Sequence, residues 1–168
     1  MKNCPGCERK IDRYSIACQY CGRVEEERQK RKSDSLRAGK SITLSISIDC
    51  KSRKVYRFVS SLVNLPKWAP AFCLSIKKSK KNWIAQTTQG QVQIRMEQKN
   101  NLGVLDHYIT LSKGKEALVP MRVVERGAAS EVTFTLFQLP GMPEEDFERD
   151  IKLVGQDLKS LKRILEKN

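Results

Sequence analysis

Four cysteines near the start of the 168-residue chain form two Cys-x-x-Cys pairs. Cys4 and Cys7 make the first pair and Cys18 and Cys21 the second, with ten residues between the pairs. Four thiolates are a complete ligand set for a tetrahedral structural zinc ion, and such a site keeps no open position for catalysis. A redox dithiol is the alternative, but a thioredoxin-like motif needs a strand and a helix around it. We therefore predict structural zinc in residues 1–23.

The same segment resembles the minimal zinc ribbon found at the N-termini of many prokaryotic proteins. The positions that match are Cys4, Pro5, Cys7, Ala17, Cys18, Cys21 and Gly22. Metal binding is expected to fold this ribbon, because so short a segment has too few apolar side chains for a core. Cys50 and Cys73 lie outside the pattern, and we expect them to be small buried hydrophobic residues without a chemical role.

His107 is the only histidine of the chain and follows Asp106 on a predicted strand. Neighbouring residues of a strand point to opposite faces, so these two do not form a catalytic dyad. An inward-facing His107 could act as a general acid or base, because histidine titrates near neutral pH. The alternative is a structural histidine that is hydrogen-bonded at the sheet. We also expect a cross-strand ion pair between Asp106 and Arg122.

The chain is strongly basic, with 32 Lys and Arg against 19 Asp and Glu and a net charge of +13. This charge favours anionic partners, including nucleic acid. A lysine cluster over residues 77–81 could contact phosphates, or it could protect a sheet edge from pairing. The sequence has neither a secretory signal nor an apolar stretch of about 20 residues, so we expect a soluble cytoplasmic protein without a transmembrane segment.

The remaining pattern predicts many short strands and one long helix. Alternation at residues 42–48 predicts a half-buried strand, and Asp49 is expected to cap a helix over residues 52–62. Five strands are predicted over 72–77, 82–88, 91–99, 104–111 and 117–125, and a sixth over 130–139. Short turns between them favour an antiparallel meander. A final helix from Pro143 has an apolar stripe at Phe147, Ile151, Val154, Leu158, Leu161 and Leu165.

These elements predict an α+β fold in which a curved antiparallel sheet grips the long C-terminal helix, since each has one apolar face to bury. The predicted organisation is a zinc ribbon over 1–23, a charged linker over 24–40 and a helix-grip domain over 41–168.

Residues 42–168 resemble the SRPBCC superfamily, which includes polyketide cyclase-like proteins and START-type lipid carriers. The matching segments are Ile46–Asp49, Val55–Val59, Asn64–Pro70, Gly103–His107, Val119–Val124, Glu131–Phe137 and Pro140–Met142. The resemblance implies a cavity between the sheet and the C-terminal helix. The residues expected at it are Trp68, Phe72, Ile94, Met96, His107, Met121, Phe134, Val154 and Leu158.

The expected function is binding of a hydrophobic or amphipathic small molecule, with the zinc ribbon as an interaction arm. One alternative is a cyclase or dehydratase that uses His107 together with pocket tyrosines such as Tyr108. The other is an adaptor that binds nucleic acid or protein through the ribbon and the basic N-terminal arm. The superfamily includes carriers and enzymes, so the fold alone does not decide among these functions.

Overall fold

The computed structural model describes residues 1–4, 7–11, 19–21, 39–79, 82–111, 114 and 116–167. The chain divides into two compact units, Met1–Ala38 and Gly39–Asn168. Cys18, and residues 24–38 of the predicted linker, lie outside the described residues.

The first unit contains a two-stranded antiparallel hairpin formed by β1 (Lys2–Asn3) and β2 (Lys10–Ile11). Two backbone hydrogen bonds close its turn: the Glu8 N–H donates to the Cys4 carbonyl at 2.8 Å, and the Cys4 N–H donates to the Arg9 carbonyl at 2.9 Å. Glu8 adopts a φ of 59°, a left-handed conformation that few residues other than glycine adopt. This tight turn keeps Cys4 and Cys7 on one small segment.

The second unit is built on two antiparallel sheets. One sheet has the order β3 (Ser41–Ile48), β10 (Ala129–Phe137) and β9 (Met121–Arg126). The other is a sequential meander of β4 (Ser75–Ser79), β5 (Asn82–Thr87), β6 (Gly90–Met96), β7 (His107–Thr110) and β8 (Glu116–Val119). The predicted meander is therefore confirmed for β4 to β8, and β3 joins the sheet of β9 and β10.

Pro120 lies between β8 and β9, where the sequence predicted one strand over residues 117–125. That prediction was wrong because proline has no N–H with which to continue a ladder. The Pro120 carbonyl still accepts the Thr135 N–H at 2.9 Å, and the Leu105 N–H donates to the Met121 carbonyl at 2.9 Å. The first bond ties Pro120 to β10, and the second ties the loop before β7 to β9. Gly103 has a φ of 73°, and a Cβ there would collide with the Val123 carbonyl oxygen, so this close approach requires glycine.

Three helical segments complete the unit: α1 (Ser52–Val59), α2 (Leu65–Trp68), preceded by a 3₁₀ turn at Leu62–Asn64, and α3 (Glu144–Glu166). α1 ends earlier than residue 62, because Ser61 has an extended backbone. The predicted Asp49 cap was wrong. Lys51 occupies the N-cap position, and the Asp49 N–H instead donates to a Glu166 carboxylate oxygen at 2.8 Å.

Local hydrogen bonds explain three strand boundaries that differ from the prediction: the start of β4, the end of β6 and the start of β7. β4 begins at Ser75 because the Ala69 carbonyl accepts N–H groups from Phe72 and Cys73 and forms a turn there. β6 and β7 stop short of residues 97–106 because the Asn100 side chain bonds the backbone of Leu102 and Val104. An asparagine that satisfies nearby backbone groups offers the chain an alternative to a ladder.

α3 confirms the predicted long C-terminal helix. Glu144, Glu145 and Asp146 occupy its first turn, where negative charge is favourable. Phe147, Leu158, Leu161 and Leu165 are buried. A leucine that is fully buried contributes about 1.5–3 kcal/mol, so the C-terminal half of the helix is firmly held. The predicted α+β class, with curved antiparallel sheets and a long C-terminal helix, is confirmed.

Candidate functional site

A cavity of about 540 Å³ lies between the strands and the N-terminal half of α3. Alternate residues of a strand face the same side, and this alternation places several apolar side chains of β6 and β10 in the wall. β6 contributes Val92, Ile94 and Met96, and β10 contributes Phe134 and Leu136. The wall is therefore mainly apolar.

Eight of the nine residues expected at the cavity line it: Trp68, Phe72, Ile94, Met96, His107, Met121, Phe134 and Val154. Leu158 is not in the wall. It is 2% exposed and belongs to the hydrophobic core, because the helix packs against β3 in that region. Sequence analysis also placed Tyr108 among the pocket tyrosines. The structure corrects this, because Tyr108 is outside the cavity wall and stacks with the Arg95 guanidinium 4.0 Å from its ring centre.

His107 lies in the cavity wall, with its ring edge-on to Phe134 at a centroid distance of 6.0 Å. Its Nδ1 is 3.1 Å from the Leu105 carbonyl oxygen. A carbonyl only accepts hydrogen bonds, so this contact places the proton on Nδ1 and leaves Nε2 as an acceptor. Burial lowers the pKa of His107, and the bond to Leu105 opposes that shift. The ring is therefore neutral at neutral pH.

Asp106 directly precedes β7 and, unlike His107, is not in the cavity wall. Its carboxylate oxygen accepts hydrogen bonds from the Arg122 guanidinium and from the Met121 N–H. The predicted ion pair between Asp106 and Arg122 is confirmed. It fixes the start of β9 next to the loop that leads into β7.

Two carboxylates of α3, Asp150 and Asp157, also line the cavity, and sequence analysis missed both. Asp157 is only 4% exposed, and it accepts the Ala71 N–H at 2.9 Å. Burial raises its pKa to about 6, although hydrogen bonds from the Ala71 and Phe72 N–H groups oppose the shift. The pKa of the half-buried Asp150 is also raised, chiefly by burial.

A signal for these carboxylates was present in the sequence. Asp150 and Asp157 each follow an apolar position of the helical stripe, Phe147 and Val154, by three residues. Residues at this spacing lie on one helix face. A helix face that is identified only by its hydrophobic residues does not reveal an acidic residue among them.

The cavity opens beside the β5–β6 and β7–β8 hairpins and the segment that leads into α3. Leu118 and Phe137 lie at this rim and are 41% and 43% exposed. Met142 lies there too. An apolar rim of this kind gives an apolar molecule a continuous path from the surface into the interior.

Three cysteines of the first unit form a second candidate site. The Sγ atoms of Cys4, Cys7 and Cys21 all lie within 4.8 Å of one another, and those of Cys4 and Cys21 are 3.6 Å apart. A tetrahedral zinc site with Zn–S bonds of about 2.3 Å has sulfur–sulfur edges of about 3.8 Å, whereas a disulfide bond is about 2.05 Å long. The spacing therefore fits a metal that the three thiolates could bind.

Cys50 and Cys73, in the second unit, are buried, as expected. The Cys73 thiol donates to the Ser75 carbonyl at 3.3 Å, and burial raises its pKa to about 11. A thiol with so high a pKa stays protonated at neutral pH and is a poor nucleophile. Cys73 therefore does not supply a catalytic thiolate.

Comparison with known proteins identifies the fold. No protein-family model matches the chain, and no curated protein does. Among solved structures, an uncharacterized protein from Bacillus thuringiensis is 18% identical with a TM-score of 0.63, over 75% of this chain and 98% of that one. The Aha1 dimer from Colwellia psychrerythraea is 16% identical with a TM-score of 0.60, over 76% of this chain and 96% of that one.

A third similar structure is the di-domain ARO/CYC protein BexL from the BE-7585A biosynthetic pathway. It is 16% identical with a TM-score of 0.56, over 77% of this chain and 46% of that one. At these identities the likeness is one of fold alone, and it supports the predicted α+β architecture of curved antiparallel sheets and a long C-terminal helix. None of the three identifies a zinc ribbon. Among the described residues, no helix is long and apolar enough to cross a membrane.

The first prediction concerns Asp157. Its pKa is raised from 3.8 to about 6, so the folded protein loses stability as pH rises from about 4 through 6, by up to about 3 kcal/mol. Asp157→Asn removes this ionisation and keeps one acceptor oxygen. The free energy of unfolding of the variant, relative to wild type, should rise by about 2 kcal/mol between pH 4.5 and 7.5, as measured by urea denaturation. Glu148→Gln, an exposed change on the same helix, is the control. If the difference in free energy of unfolding between Asp157→Asn and wild type does not change with pH, the raised pKa of Asp157 is contradicted.

The second prediction concerns His107. Burial of its ring disfavours the charged form, so we expect its titration midpoint below the ordinary value of 6.5. Because the chain has one histidine, its imidazole proton resonance is unambiguous in an NMR titration. The same protein in urea should titrate near about 6.5. A native midpoint at or above that of the unfolded chain would show a solvated or anion-paired ring.

Proposed function

We propose that the second unit binds an apolar or amphipathic small molecule in the cavity under α3. The observation that supports this most directly is the space itself, about 540 Å³ with a mainly apolar wall. Small-molecule sites are typically concave, mostly apolar and about 300–1,000 Å³ in volume, with a few polar groups that orient the ligand. His107, Asp150 and Asp157 are such groups here.

The similar structures support this proposal only through the fold. One of them is an ARO/CYC protein from a biosynthetic pathway, and another is an Aha1 dimer. One fold therefore accommodates different functions, and the function must be argued from the site. In this chain the site is a lined cavity with an open rim.

A cyclase or dehydratase that uses His107 is the second candidate. The observation in its favour is a neutral imidazole in the cavity wall, with Nε2 available to accept a proton. A general base needs such a nitrogen. Tyr108, its expected partner, lies outside the cavity wall, so binding is the better-supported function. A histidine that is charged at neutral pH in the titration above would exclude the enzymatic candidate.

The adaptor function has less support. Lys77 and Lys78 lie on β4, the first strand of the five-stranded sheet. Lysines on an edge strand prevent pairing with other chains, which accounts for these two without an anionic partner. Binding of nucleic acid or protein through the basic N-terminal arm stays a prediction.

For the first unit we propose a structural zinc ion bound by Cys4, Cys7 and Cys21, with Cys18 as the fourth ligand. The sulfur spacing supports three of these ligands. Four thiolates would fill the coordination sphere, so the ion would stabilise the fold rather than catalyse a reaction. The resulting ribbon would serve as an interaction arm.

The binding proposal predicts uptake of the uncharged fluorescent dye Nile red at one site per chain. Leu153 lines the cavity from α3, and its neighbour Lys152 is exposed. Leu153→Trp adds volume inside the cavity and should weaken dye binding at least about tenfold, while Lys152→Trp adds the same ring outside it and should not. Fluorescence titration measures both, and circular dichroism checks that each variant folds. Equal binding by the two variants, or none by wild type, would reject the proposal.

The zinc proposal predicts about one zinc per chain in elemental analysis of protein purified without chelator. Replacing a ligand should weaken metal binding severely, so Cys4→Ser and Cys21→Ser should each lose most of the zinc on dialysis. Cys50→Ala changes a buried cysteine of the other unit and should keep it. Full zinc content in the Cys4 variant would rule out this ligand set.

A further inference from the structure

The ionisable groups of the cavity wall are unexpected for a chain with a net charge of +13. Among the wall residues that the structure describes, the ionisable ones are Asp150, Asp157 and His107, and none is a lysine or arginine. The histidine is neutral, so the fixed charge of this wall is negative. A ligand with a carboxylate or phosphate would meet no cation there, although the basic surface would attract it.

Asp150 and Asp157 differ in the hydrogen bonds that their carboxylates accept. Asp157 accepts hydrogen bonds from the Ala71 and Phe72 N–H groups. Asp150 has no such bond in the part of the chain that the structure describes. The neighbouring Arg149 guanidinium is already paired with Asp146 at 2.7 Å. The Arg149 charge acts on Asp150, but among the described residues no hydrogen bond or ion pair reaches this half-buried carboxylate at the cavity wall.

A second polar group at the cavity also lacks a partner. The Trp68 indole N–H makes no hydrogen bond within the described structure, and Trp68 is only 5% exposed. Buried indole N–H groups usually find an acceptor, and leaving a buried donor unsatisfied costs about 1–3 kcal/mol. Trp68 lines the same cavity as Asp150. The Trp68 Nε1 atom is itself enclosed by protein atoms, so the Asp150 carboxylate is the group of this pair that a bound molecule can reach.

The relative position of these groups limits the shape of that molecule. Asp157 holds the backbone of Ala71 and Phe72, just after Trp68. Asp150 lies seven residues earlier on α3, which is about 10 Å along a helix axis. Between them Leu153 and Val154 present apolar surface. The wall therefore matches a molecule with an apolar middle and a polar group toward the Asp150 end.

We propose that the ligand of this cavity is an amphipathic amine, whose protonated nitrogen pairs with Asp150 while its apolar body fills the interior. This inference rests on the proposed binding function and specifies its ligand class. An ammonium group supplies both the positive charge and the hydrogen-bond donors that a partly desolvated carboxylate favours.

The test uses three probes that share one body: 4-phenylbutylamine, 4-phenylbutanol and 4-phenylbutyrate. Each displaces Nile red from the full-length protein at pH 7.5, and the displacement gives its affinity. We expect the amine to bind at least about tenfold more tightly than the carboxylate, since a charge-assisted hydrogen bond contributes about 1.5–3 kcal/mol. The alcohol, which donates without a charge, should lie between them.

Variants of α3 locate the effect. Asp150→Asn removes the charge with little change in shape and should lower the amine-to-carboxylate affinity ratio about tenfold. Asp150→Glu keeps the charge and should preserve the preference for the amine. Glu148→Gln removes a charge from the same helix at an exposed position and should leave the ratio unchanged.

The outcomes separate this inference from the binding function on which it rests. Equal affinities, or a preference for the carboxylate, would overturn the amine assignment while binding itself stands. An amine preference that survives in Asp150→Asn would also overturn it. If Nile red binds and no probe displaces it, the amine class is rejected. If neither dye nor probes bind wild type, both proposals fall.

Discussion

A long helix laid across a curved sheet cannot contact it along its whole length, and the rest of this structure depends on that constraint. The C-terminal half of α3 meets the core, where Leu158, Leu161 and Leu165 are buried. The N-terminal half faces the cavity through Leu153 and Val154. One amphipathic helix thus serves both as the anchor of the fold and as a wall of the cavity, with different turns in each role.

The carboxylates of α3 show how polar groups are used in this arrangement. Desolvation makes an ionised Asp157 unfavourable, yet its two backbone bonds tie the Ala71–Phe72 segment to the helix. A buried acceptor that meets backbone N–H groups gives a loop a defined position that apolar contacts alone do not. Phe72, which lines the cavity, is therefore placed by a hydrogen bond as well as by packing.

The sequence predicts this fold well where one pattern dominates. Strict alternation identified β3, and the four- and three-residue steps from Phe147 identified α3, because each period matches only one secondary structure. Eight cavity residues followed from the resemblance together with alternation along strands. Strand ends were predicted wrongly where the hydrogen bonds of a single side chain end the strand. Asn100 is an example, because its side chain bonds the backbone of Val104 and forms a loop. Asp150 and Asp157 were missed because only the apolar residues of the α3 face were used to predict its contacts. Their burial depends on the depth of the cavity, which no local sequence pattern encodes.

The break at Pro120 has a consequence for how such a protein can diverge. β8 and β9 are joined by that one residue and belong to different sheets. Side chains alternate between the two faces of a strand, so one residue inserted between Val119 and Met121 would turn the side chains of either β8 or β9 to the opposite face. The length of the hairpin loops at the rim of the cavity is not restricted in this way. Insertions and deletions should therefore accumulate in those loops among related chains, while the length of the Val119–Met121 junction stays constant.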